Sequence, residues 1–130
     1  MNSIARAAAY QDMATRSIVL GATPHALISI LFEELDRSLK ASEYFLDHHD
    51  SINMRKNTTK ASQILAGLLG SLDFEQGGEI AENLGALYRF CIKELLKANI
   101  DTDIKIITSV RDLINPIQRA WNEMPATYRE

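Results

Sequence analysis

Apolar positions recur along most of this chain at helical rather than strand spacing. After Thr23-Pro24 come Ile28, Leu31, Leu35, Leu39, Ser42 and Leu46, in steps of 3, 4, 4, 3 and 4. That is one face of an α-helix, not the alternation of a strand. Thr is a good N-cap, and Pro at the first helical position lacks only an N–H that would be orphaned anyway. The spacing predicts a helix to about Asp47, with Leu27 and Phe32 widening its apolar face. The polar stretch Asp47–Asn53 breaks the pattern. A second helix, starting between Ile52 and Lys56, is carried by Ala61, Ile64, Leu65, Leu68, Leu69 and Leu72. The Gly77-Gly78 pair predicts a turn. A third helix follows on Ile80, Leu84, Leu87, Cys91 and Leu95, with Tyr88, Phe90 and Ile92 beside the stripe. Glu79 and Glu82 open it and Lys93 and Lys97 lie near its end, as the helix dipole favours, and Asn99 is read as its C-terminal stop. The fourth helix opens at Asp101 or Thr102 and carries Ile107, Val110, Ile114, Ile117 and Trp121; Pro116 within it predicts a kink. Short connections make neighbouring helices antiparallel. The expected fold is all-α: an antiparallel up-and-down four-helix bundle preceded by an extra N-terminal arm.

Composition agrees with that reading. The chain has 130 residues, one domain's worth, and 46% of them are hydrophobic while only 7% are aromatic and three are proline. The divisions expected are an arm over 1–22, the bundle over 23–124 and a short tail over 125–130. A net charge of −3 argues against nucleic acid as a partner, since a phosphate-binding surface is basic. A single cysteine, Cys91, excludes an intrachain disulfide and fits a reducing compartment. The first residues lack the layout of a signal peptide, and no apolar run reaches the ~18 residues of a membrane span, so a cytoplasmic protein without membrane insertion is expected.

The search for chemistry finds little. There is no His-Glu-x-x-His and no phosphate-binding Gly-rich loop, and the acid pairs Glu33/Asp36 and Glu79/Glu82 lack the histidine a di-iron bundle uses at the third place on. His48 and His49 are adjacent and point about 100° apart on a helix, a poor start for a metal site. Asp101-x-Asp103 lacks the Gly and closing Glu of a calcium loop. Cys91 falls in line with Leu87 and Leu95, which favours a buried small hydrophobe. No enzyme, metal or cofactor is expected. The first and third helices carry apolar residues on more than one stripe; these either fill a wide core or form a surface for a partner helix, and periodicity alone leaves both readings open.

The order and spacing of several blocks resemble the flagellar secretion chaperones of the FliS type. The blocks are Ala9-Tyr10-Gln11, Ala22-Thr23-Pro24 with Leu27-Ile28 and Leu31-Phe32, Leu72-Asp73, Ile80-Ala81-Glu82-Asn83-Leu84, Leu87-Tyr88, Leu95-Leu96 with Ala98-Asn99, Asp103 and Ala120-Trp121. The resemblance spans about residues 9 to 124. It implies a small helical bundle that binds the disordered C-terminal segment of flagellin one-to-one, prevents premature polymerisation and hands the loaded client to the type III export gate. It implies that Tyr10 and Gln11 on the arm cap an empty client groove. It also implies that Leu27, Leu31 and Leu35, with Leu84, Leu87, Tyr88 and Leu95, line core and groove together. Asn83 and Asn99 match family positions able to hold client backbone or cap a helix, and Trp121 is expected to pack the last helix onto the bundle. Pro116 and the short tail depart from the family pattern. The rival reading is a non-catalytic structural or regulatory bundle whose apolar surface pairs two copies as a homodimer; the same pairing is a candidate state of a client-free chaperone.

Overall fold

The computed structural model describes residues 24–124. Tyr10 and Gln11, the arm and the tail lie outside them. Four helices follow one another: α1 (Pro24–Asp47), α2 (Ser51–Gly70), α3 (Phe74–Asp101) and α4 (Ile104–Asn122). Each packs against two neighbours, in the ring α1–α2–α3–α4–α1. Among the described residues there is no strand. The all-α four-helix bundle is what the stripes predict.

The core forms where the four stripes meet. Leu31, Phe32, Leu35 and Leu39 of α1 join Met54, Ala61, Leu65 and Leu68 of α2, Tyr88, Cys91, Leu95 and Ala98 of α3, and Ile107, Val110 and Ile114 of α4. Three hydroxyls, those of Ser38, Ser42 and Thr58, are buried with them. Ser42 donates to the Ser38 carbonyl at 3.0 Å and approaches the Met54 carbonyl at 3.3 Å. Thr58 donates to the Arg55 carbonyl at 3.1 Å and meets the Asn99 side-chain oxygen.

Helix ends explain where the sequence reading shifts. The α1–α2 turn is only His48–Asp50, because the Asp50 carboxylate accepts from the Asn53 backbone at 3.1 Å and from its amide at 2.6 Å. Those bonds pull the start of α2 back to Ser51 and hold the Asp50 carboxyl below its ordinary range. Asp73 caps α3, accepting from Glu75 and Gln76, so a first helical turn precedes the glycine pair. The break then comes at Gly78, with φ 51° and ψ −126°, a conformation open essentially to glycine alone. It folds the first turn back so that the Phe74 ring lies beside Gly85, where a Cβ would stand 3.4 Å from that ring.

Asn99 is not the stop of α3. The helix runs on to Asp101, and Thr102, at φ 49°, takes the left-handed cap. Asp103 then caps α4 by accepting from Lys105 at 2.9 Å, two residues later than the sequence suggests. Pro116 leaves α4 continuous from Ile104 to Asn122. Both Pro116 and Asp112 are exposed, so the Asp112 carbonyl that loses its helical donor lies on a stretch of the helix that water can reach.

Candidate functional site

The sides of the bundle are closed in two different ways. Around α1 the closure is ionic. Glu43 accepts from Arg111 at 2.6 Å and from the Thr108 hydroxyl at 2.7 Å, and Asp36 stands 3.7 Å from Arg111, which ties α1 to α4. On its other flank Glu34 reaches Lys60 of α2 at 3.3 Å. Among the described residues every ion pair has a member on α1 and none reaches α3. Around α3 no ion pair closes the edges among the described residues.

Two bonds orient α3 in the ring. The Asn99 side chain meets Thr58, and its carbonyl accepts from Arg55 Nε at 3.1 Å, so the Asn99 side of α3 faces α2. At about 100° per residue, Leu87 and Phe90 lie roughly 120° and 180° around from Asn99, on the side toward α4. In α4, Arg111 marks the flank toward α1, and Ile106, Leu113 and Ile117 lie roughly 120–160° from it, toward α3. The α3–α4 seam is thus edged by Leu87, Ile106 and Ile117, partly buried against the core, and by Phe90 and Leu113, which are 49% and 40% exposed. Leu84 lies deeper on the same helix, partly buried. Antiparallel chains meeting at Thr102–Asp103 bring Phe90 and Leu113, and Leu87 and Ile117, to similar heights along the seam.

The residues proposed from sequence separate accordingly. Leu31, Leu35, Tyr88 and Leu95 are buried in the core, on the interior side of the line that periodicity left open. Leu27, Leu84 and Leu87 lie at its edge and Asn83 is exposed. Asn99 is held within the bundle by α2. Sequence reasoning passed over Phe90 and Leu113, although the position of Phe90 off the Leu84–Leu87–Cys91–Leu95 stripe is the signal for it.

Trp121 does pack the last helix onto the bundle. Its ring stacks on His25 with centroids 4.5 Å apart. His48 donates from Nδ1 to the Tyr44 carbonyl at 2.7 Å and its ring stacks on Tyr44, while His49 has a left-handed backbone at φ 59°. Among the described residues no three His, Cys, Asp or Glu side chains gather as a metal site, and no helix is long and apolar enough to cross a membrane. An open depression of about 320 Å³ between α1 and α4 is lined by Glu33, Asp36, Arg37, Lys40 and Gln118. Burial pushes the Cys91 thiol up to about 11, with Glu94 adding to it, so the thiolate that would be reactive is scarce.

By fold and surface this is a four-helix bundle with exposed aliphatic and aromatic side chains along the α3–α4 seam. Comparison with known proteins is specific. The family model described as flagellar protein FliS matches residues 6–128. The chain is 38% identical over 117 residues to the flagellar secretion chaperone FliS of Salmonella typhimurium, covering 89% of this chain and 87% of that one. It is 31% identical over 116 residues to that of Escherichia coli, covering 88% and 85%, and 30% identical over 113 residues to the flagellar secretion chaperone FliSB of Pseudomonas aeruginosa, covering 87% and 90%. The chain belongs to the FliS family of flagellar secretion chaperones.

Proposed function

We propose that this protein is a cytoplasmic flagellin chaperone: it binds the C-terminal segment of flagellin one-to-one, keeps it from polymerising early, and delivers it to the flagellar export gate. The observation that carries the reading is the α3–α4 seam, where Leu87, Phe90, Leu113 and Ile117 stay partly or largely exposed and no ion pair closes the edge. A disordered amphipathic segment gains its helix by laying apolar residues into such a seam, and the area buried, of order 1,000–3,000 Å², offsets the entropy of ordering it. Asn83, exposed on α3, is placed to hydrogen-bond client backbone. Tyr10 and Gln11 act as the cap that client displaces. No bond is made or broken, so release requires only competition at the gate.

A peptide copying roughly the last 40 residues of the cognate flagellin, a length suited to a wrapping segment, tests this by isothermal titration. Saturable one-to-one binding with a negative heat-capacity change is expected. Absence of binding at high micromolar concentration excludes it.

A further inference from the structure

A second apolar surface lies on the opposite flank of α3. Leu96 and Ile100 fall about 60° and 100° beyond Asn99 around the helix, at the outer edge of the α2–α3 seam. Ile52 of α2 lies about 60° beyond Arg55, the residue that reaches across to Asn99, and at the same end of the seam. Ile52, Leu96 and Ile100 are 68%, 62% and 73% exposed, more than the residues of the α3–α4 seam. The charges around them are mainly basic. Arg55, Lys56, Arg89 and Lys93 are all exposed on this face, and α2 contains no Asp or Glu at all. Glu94 is half-buried on the far flank, and Glu82 sits about 20 Å along the axis. The nearest carboxylates lie at the end of the bundle: Asp101, exposed beside Ile100 but about 100° further around α3, and Asp50 and Asp103, engaged as helix caps, with Lys56 acting on Asp50. A chain of net charge −3 thus places four exposed cations around three exposed aliphatic side chains.

We propose that the α2–α3 face is a docking surface for an acidic amphipathic helix of a second protein, separate from the α3–α4 seam. Two antiparallel helices with outward aliphatic groups at their shared edge form a shallow groove that a third helix fills side by side. The flanking cations then meet carboxylates on either side of its apolar stripe. An anionic membrane fits less well. A bilayer presents its charge to the whole molecule, whose net charge is negative, whereas a single helix responds to the local field within a Debye length of about 10 Å.

The test uses the full chain and a fluorescent designed helix of about 20 residues, with a Leu/Ile stripe flanked by glutamates, beside an isomer carrying lysines in their place and vesicles of phosphatidylglycerol. The acidic helix is expected to bind saturably and to weaken as salt is raised. The charge reversal Arg89→Glu/Lys93→Glu and the separate variant Leu96→Ser/Ile100→Ser are each expected to lower affinity about tenfold or more. All four positions are exposed, so circular dichroism and the melting curve should remain near wild type. The flagellin-tail peptide should still bind the charge-reversed variant, which separates failure here from failure of the chaperone reading. Equal binding of the lysine isomer, binding of vesicles without the peptide, or wild-type affinity in both variants overturns the proposal.

Discussion

His25 and Trp121 clasp the first turn of α1 to the last turn of α4. Their rings lie 4.5 Å apart at 7°, and each ring donates to the other's backbone: His25 Nε2 to the Trp121 carbonyl at 3.1 Å, and Trp121 Nε1 to the His25 carbonyl at 3.2 Å. A carbonyl only accepts, so Nε2 carries a hydrogen. Residues 96 apart in sequence thereby close the ring of helices at its open end. His25→Ala removes the stack and one of the two bonds, and is expected to cost about 1–3 kcal/mol. Chemical denaturation checks the loss, and Trp121 emission should shift to the red.

The buried Thr58 hydroxyl has its partner on another helix. Thr58→Val keeps the shape but removes the hydroxyl that lies between the Arg55 carbonyl and the Asn99 side chain, an expected loss of about 1–2 kcal/mol. Asn99→Ala should lose less when made in the Thr58→Val background than in the wild type, because the two side chains act as one unit. A double-mutant cycle in urea measures the coupling.

Gly78 is expected to resist substitution although it has open space around it. A Cβ there would meet nothing within 4 Å, so the penalty comes from φ 51° alone. Gly78→Ala should destabilise by about 1–2 kcal/mol, or straighten the start of α3 and lift Phe74 from Gly85. Thermal melts report the first outcome. Increased protease cleavage near Phe74 reports the second.

Alkaline stability follows from the core of α3. Burial pushes the Tyr88 hydroxyl up to about 12 from its ordinary value of 10.0, with Cys91 contributing. A group whose folded pKa is raised stabilises fully below its unfolded value and loses that contribution as pH rises through the folded one. The melting temperature should therefore decline between about pH 10 and 12 on account of Tyr88, and Tyr88→Phe should flatten that part of the profile. Cys91 contributes similarly between about 9 and 11. In the native protein at neutral pH its alkylation should be slow, and should accelerate sharply in denaturant.

Much of the fold was legible because the buried set is periodic. Leu31, Leu35 and Leu39, and likewise Ile107, Val110 and Ile114, are the stripes themselves. Helix ends were less legible because side-chain caps compete with composition. Asn99 looks like a terminator, yet its side chain is bound to α2 while Thr102 takes the left-handed position. The open seam was the least legible part. Whether Leu95 or Phe90 faces inward depends on the rotation of α3 against two neighbours, which bonds from Arg55 and Thr58 fix across the bundle. An apolar face that is broad on its own helix does not reveal which of its edges a neighbour covers.

The central claim is that client lies along the α3–α4 seam, and the sharpest test is the affinity of Phe90→Ser/Leu113→Ser for the flagellin-tail peptide, measured by isothermal titration beside the wild type. Both side chains stand partly exposed, so the variant should stay folded with a similar melting temperature. The account predicts a loss of about 2 kcal/mol or more in binding, roughly thirtyfold, from removing two apolar anchors. A folded variant that binds the peptide with wild-type affinity would contradict it.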